Sequence, residues 1–225
     1  MAWYAKPSGA YAVGSDEWTA NVQAFWEVCK RLGYSKEACA GMAGNSQGEG
    51  GMNPWRWQSD TVNRSAGYGL FQYTPASGYL DNYGRTSSYY APNLSTSAIT
   101  YGALATDGIA QIECIGASGK YGGGSIRVER IKPYYSECEN YQSLDKFKGI
   151  VDIYGATVCW LGFFEAPKVI DQSVVNIRYS WAQQVYDALG GIPPEPPIPP
   201  EPPIPTHTDY IYYMVKIRKK RRLNI

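Results

Sequence analysis

The chain has 225 residues, 44% of them hydrophobic and 14% aromatic, which suits one domain with appendages. Its net charge is +1, but six basic residues lie between Lys216 and Arg222, leaving 15 basic against 20 acidic elsewhere, so the body is excluded as a nucleic-acid binder by charge. Five cysteines without a C-x-x-C spacing, and a single histidine, exclude a zinc site.

In chain order, residues 17–32 read as an amphipathic helix, with Val22, Phe25, Trp26, Cys29 and Leu32 at helical spacing and Gly33 as its stop. Ser35 then caps a second helix, with Glu37 in its first turn. That helix carries Ala38, Ala40, Gly41, Met42, Ala43 and Gly44. Glycine costs about 1 kcal/mol relative to alanine inside a helix, so several of them imply neighbours packed closely on its backbone. It is expected to be the central buried helix, with Glu49 near its C-terminal end. Residues 55–74 alternate aromatics with turn formers and predict short strands in a hairpin. Residues 75–100 predict a surface loop, 104–117 a helix, and 119–125 a flexible connection. Two helices close the body, 143–165 with a possible break at Gly155, and 173–189 with Gly190 as its stop.

Residues 192–205 repeat Ile-Pro-Pro-Glu-Pro-Pro. Proline fixes φ and removes the amide donor, which predicts a semi-rigid polyproline II linker. Residues 206–225 form a short aromatic and basic tail, too short to fold alone. The body is therefore expected to span residues 1–191. No signal peptide and no transmembrane span is apparent, and free buried cysteines suit folding in a reducing cytoplasm.

The chemistry centres on Glu49, in Gly44-Asn45-Ser46-Gln47-Gly48-Glu49-Gly50-Gly51-Met52-Asn53-Pro54. Breaking a glycosidic bond needs an acid to protonate the departing oxygen. A glutamic acid does this at neutral pH only where apolar surroundings disfavour its anion. The sequence neighbours of Glu49 are glycines, Met52, Trp55 and Trp57, which offer little solvation and no cation. Asp60, eleven residues on, is a candidate second carboxylate and equally a turn residue, with Asp81 a weaker choice. Without a second carboxylate, Gln72 or Thr74 could hold a water, or the C6 hydroxyl of the sugar could attack. Tyr68 and Tyr73 are expected to stack on sugar rings in a groove, with one of Trp55 and Trp57 in the core. Gln58 and Gln72 could hydrogen-bond substrate N-acetyl or hydroxyl groups, or equally the backbone of the hairpin.

Residues 1–191 resemble the phage tail lysozyme family, muramidase domains of tail-tip proteins of bacterial viruses. The matching stretches are Ala40 to Asn45, Glu49 with Asn53 to Ser59, Gly67 to Ser77, Asp107 to Gln111 and Phe163 to Pro167, in family order. More distantly the chain is similar to goose-type lysozymes and soluble lytic transglycosylases. The resemblance implies a mostly helical α+β lysozyme-like fold with a small β-hairpin lobe beside the catalytic helix. It also implies cleavage of the MurNAc–GlcNAc bond of peptidoglycan, Glu49 as the acid, and no cofactor. The family's acidic residue two positions before the catalytic one is Gln47 here. Glu165 fits the family's Phe-Glu-x-Pro pattern and reads as a helix-end carboxylate anchoring the turn into Pro167. The implied setting is a protein made in the bacterial cytoplasm and acting on the wall, tail-associated or released at lysis. Its tail would meet other phage tail proteins or anionic wall polymers.

Overall fold

The computed structural model describes residues 3–6, 9–61, 63–83 and 107–190. The expected linker and tail, and residues 84–100 of the expected loop, lie outside the described residues.

Helix α1 (Asp16–Arg31) begins where the Ser15 hydroxyl accepts the Trp18 N–H at 3.2 Å. Asp16 and Glu17 in its first turn and Lys30 and Arg31 in its last complement the helix dipole. Helix α2 (Lys36–Glu49) is capped by Ser35, which accepts from the Ala38 N–H at 3.0 Å and donates to the Ile150 carbonyl. Every residue from Ala38 to Ser46 is buried, so α2 is the central helix. Its glycines explain how. A Cβ on Gly41 would stand 2.7 Å from the backbone of Ala156, and one on Gly44 would stand 2.5 Å from that of Ala182. Only a bare backbone lets both neighbouring helices come this close.

The described residues between 50 and 75 form no sheet. Among the described residues they make two isolated antiparallel bridges, Trp57 with Tyr68 and Tyr68 with Tyr73. The expected β-hairpin lobe is thus a set of turns, for two reasons. Met52, Ser59, Asp60 and Gln72 all adopt positive φ, which interrupts extension. Tyr68, Leu70, Phe71 and Tyr73 are all buried, an inward run that a period-two strand cannot supply. The described start of the expected 75–100 loop is instead helix α3 (Ala76–Asn82).

Beyond residue 106 come α4 (Asp107–Ser118), α5 (Ser125–Ile131), a 3₁₀ segment (Ser136–Tyr141), α6 (Leu144–Lys148), α7 (Ile153–Trp160) and α8 (Gln172–Ala188). The expected 143–165 helix breaks at Gly149 rather than Gly155, because Asp152 opens a new helix by accepting the N–H groups of Tyr154 and Gly155. The expected flexible connection is tied down: Gly122 N–H donates to Phe163 and Gly123 N–H to Gln142. After α7 the chain widens into a five-residue π-type turn, Leu161–Glu165, closed by Ala166 N–H donating to the Leu161 carbonyl. Such wide turns are often found at functional sites.

Among the described residues the result is mostly helical with almost no strand, α2 being crossed by α7 and α8, and it fits a lysozyme-like fold. All five cysteines are buried. No described helix is long and apolar enough to cross a membrane.

Candidate active site

The buried helix α2 ends at Glu49, and a cleft of about 520 Å³ opens there. Glu49 and Glu165 line it together with Arg56, Gln58, Gln72, Thr74 and Lys120. The floor is aromatic: Phe71 and Phe164 line the cleft over Trp160, which stacks on Phe164 at 4.3 Å between centroids.

Several contacts fasten the 67–74 segment to the end of α2. Ser46 donates to the Leu70 carbonyl at 2.9 Å. Gly50 lies so close to this segment that a Cβ there would meet the Gly69 carbonyl oxygen at 2.5 Å. Buried Gln111 on α4 accepts from Leu70 N–H at 2.6 Å and donates to the Pro54 carbonyl at 2.7 Å. These contacts carry Gln72 and Thr74 to the cleft. The Gln72 amide bonds the Gly69 carbonyl at 3.1 Å, and the Thr74 hydroxyl bonds the Gln72 carbonyl at 3.0 Å. Gln58 also reaches the cleft while accepting from Gly67 N–H at 2.9 Å.

Other sequence candidates lie elsewhere. Tyr68 and Tyr73 sit in the core rather than on a groove wall. Tyr68 is packed between Trp57 and Tyr79, and the Tyr73 ring is stacked on Tyr79 and covered by the Lys120 ammonium at 4.7 Å. The Tyr73 hydroxyl donates to the Gln111 carbonyl, so this ring is an internal support. Both Trp55 and Trp57 are buried, not one of the two. Asp60 accepts from Gly9 N–H at 2.7 Å and lies 3.7 Å from Arg56. Asp81 pairs with Arg64 on the surface. Gln47, where the family's acidic residue would stand, accepts from the Trp18 indole at 2.9 Å and so joins α1 to α2.

The fold also supplies what the local sequence lacked, a cation at Glu49. Arg178, from α8, donates to the Glu49 carboxylate and, at 2.6 Å, to the Asn45 carbonyl. Its guanidinium occupies the space a side chain at Gly48 would fill: a Cβ there would stand 1.4 Å from a guanidinium nitrogen. Arg178 also lies 3.8 Å from Glu165. The turn into Pro167 directs Glu165 inward, with only 6% of its side chain exposed against 30% for Glu49. Burial pushes Glu165 up to about 8; Arg178 opposes this, while the charge of Glu49 and the contact between the two carboxyls add to the rise. At the rim, partial burial of the Lys120 ammonium lowers it from the usual lysine value. Among the described residues, no group of three or more His, Cys, Asp or Glu side chains could hold a metal ion.

Sequence reasoning missed Arg178 and Lys120 and favoured an anchoring role for Glu165 over a catalytic one. For Arg178 the signal was Gly48, since a glycine in the last turn of a buried helix leaves space for another side chain.

The profile of the phage tail lysozyme family matches residues 20–189. Morphogenesis protein 1 of Bacillus phage B103 is 44% identical over 66 residues, which make up 29% of this chain and 18% of that protein. The chain thus matches less than a fifth of that relative's length.

Proposed function

The chain belongs to the phage tail lysozyme family, and on that premise we propose that it is a muramidase that hydrolyses the MurNAc–GlcNAc bond of bacterial peptidoglycan. Glu49 is the general acid that protonates the departing oxygen. The observation that supports this most is the emergence of Glu49 from the end of a buried helix into a cleft shared with Gln72, Thr74 and Gln58. In this reading Gln72 and Thr74 hold the attacking water, and Gln58 bonds the substrate. Asp60 acts from the rim by orienting Arg56, and Tyr68 and Tyr73 support the cleft from beneath. The setting is phage entry or host lysis, with tail partners or anionic wall polymers engaged by residues 206–225.

One observation favours a second outcome, lytic transglycosylation. Among the described residues lining the cleft, the carboxylates are Glu49 and Glu165, and one arginine bridges the two. With no further carboxylate to activate water, attack by the C6 hydroxyl of MurNAc becomes the competing step.

Mass spectrometry of peptidoglycan digested by the full chain separates these readings. Reducing MurNAc ends are expected. A product made only of 1,6-anhydro ends would establish transglycosylation, and no fragments would leave a wall-binding module. Glu49→Gln keeps the shape but removes the acidic proton, so the rate should fall about 10²-fold or more. A variant that clears walls at the wild-type rate would overturn the assignment.

A further inference from the structure

The ion pair at Glu49 raises a difficulty for an acid. The guanidinium of Arg178 stays charged at all ordinary pH values, and it donates directly to Glu49. That bond is made to a carboxyl oxygen of Glu49 and brings it no proton to pass on. Glu165 is in the opposite situation. Both of its oxygens are buried without a hydrogen-bond partner, and Arg178, at 3.8 Å, is too far to donate to it. A carboxylate in that position would be an unsolvated, unbonded charge, which is costly enough that the group takes up a proton instead. The two carboxyls face one another, and their contact becomes a hydrogen bond only when a proton lies between them.

We propose that Glu165 is a positioning residue that stores the catalytic proton: it shares one proton with Glu49 beside Arg178 and recharges Glu49 within the cleft. The inference rests on the muramidase reading above. When substrate binds, the proton of Glu165 moves to Glu49, and Arg178 is left to balance the new anion. Glu49 then gives that proton to the glycosidic oxygen as the C1–O bond breaks, and the bonding pair leaves with the oxygen. Water attacks C1, its oxygen forms the new bond, and its released proton returns to the carboxylate pair. One water is consumed and the pair ends with the one proton it began with.

The surroundings suit this role. From α5, Arg127 and Arg130 donate to the carbonyls of Phe163 and Pro167, so they hold the turn rather than the carboxylate. Arg56 and Lys120 line the same cleft, Lys120 being engaged over Tyr73. Glu49 on α2 and Arg178 on α8 are the charged groups that face Glu165 directly.

The test compares the pH–rate profiles of the full-length wild type and Glu165→Gln on purified peptidoglycan. Glutamine reproduces the shape and neutrality of the protonated acid but cannot pass on a proton. Wild-type activity should persist until the pair loses its proton near pH 8. In Glu165→Gln that alkaline limb should move to lower pH by about two units or more, because the stored proton is gone. The rate at pH 7 should fall about tenfold or more, and the deficit should shrink as pH falls. An unmoved limb, or an equal loss at every pH, would overturn the proposal, the second outcome marking a purely structural role. Infrared spectroscopy gives a readout independent of catalysis. The wild type at pH 7 should show a protonated carboxyl band that disappears in Glu165→Gln, and absence of the band in wild type would overturn the proposal. Should Glu165→Gln fail to fold, the wild-type spectrum decides alone. Should the wild type release no fragments, the muramidase reading falls while the spectrum still decides whether the proton is stored.

Discussion

Glu165 couples the stability of the protein to pH as well as its chemistry. Its value is raised on folding, to about 8 from the ordinary carboxylate range, so the native state binds the proton more tightly than the unfolded chain. The stabilisation is therefore complete below about pH 4.3, declines as pH rises, and is lost above about pH 8. Urea unfolding should show wild type losing stability between pH 5 and pH 8.5, with Glu165→Gln markedly flatter over that window. Equal slopes would mean that Glu165 titrates normally. The place of Glu49 at the end of the buried helix was legible in the sequence because the glycines that make that helix are its local neighbours. Its cation was not, since Arg178 stands 129 residues away. Tyr68 and Tyr73 misled because aromatic residues beside a cleft serve equally as ligand surface and as floor, and spacing alone does not separate the two.

Among the elements, α2 does most to set the architecture, and its glycines divide into two kinds. At Gly44 an added methyl would meet the backbone of Ala182, which cannot yield without moving α8. At Gly48 it would meet the tip of a flexible arginine. Gly44→Ala should therefore destabilise the protein by about 1–3 kcal/mol or more. Gly48→Ala gains up to about 1 kcal/mol in helix propensity but loses the Arg178 bonds to Glu49 and Asn45, so it should destabilise less than Gly44→Ala. It should nevertheless lower activity at pH 7 by about tenfold, because Arg178 is displaced from the carboxylates. Thermal unfolding and wall-clearing rates measured on both variants check the division, and a Gly48→Ala protein with full activity would show Arg178 to be dispensable. The same physics governs which elements the sequence disclosed. Helices α1, α2 and α8 have side-chain caps and lengths of 14 to 17 residues, so pattern and punctuation agreed. Helices α3 and α5 have seven residues each and no side-chain cap, and such short turns take their stability from packing that sequence does not display. The 50–75 segment alternates like a strand but is shaped by positive-φ turns.

At the scale of the whole molecule, residues 1–191 form one compact unit, and the described helical packing is complete by α8. A chain ending after Gly191 should unfold within about 2 °C of the full-length protein and keep its activity. What should change is adhesion. The six basic residues between Lys216 and Arg222 would be drawn to anionic wall polymers, an attraction that weakens as salt rises. The full-length protein should bind walls more tightly at low salt, with the difference fading at high salt. Equal binding at low salt would point the tail towards a protein partner instead.

The pairing of Arg178 with Glu49 also bears on the order in which the protein matures during synthesis. The carboxylate is made early, but its guanidinium belongs to the last described helix, so the constellation stays incomplete until nearly all of the compact unit has left the ribosome. A nascent or prematurely terminated chain lacking residue 178 carries Glu49 without its counterion and Gly48 with nothing laid across it. The long sequence separation thus delays the pairing of Glu49 until the last described helix has docked.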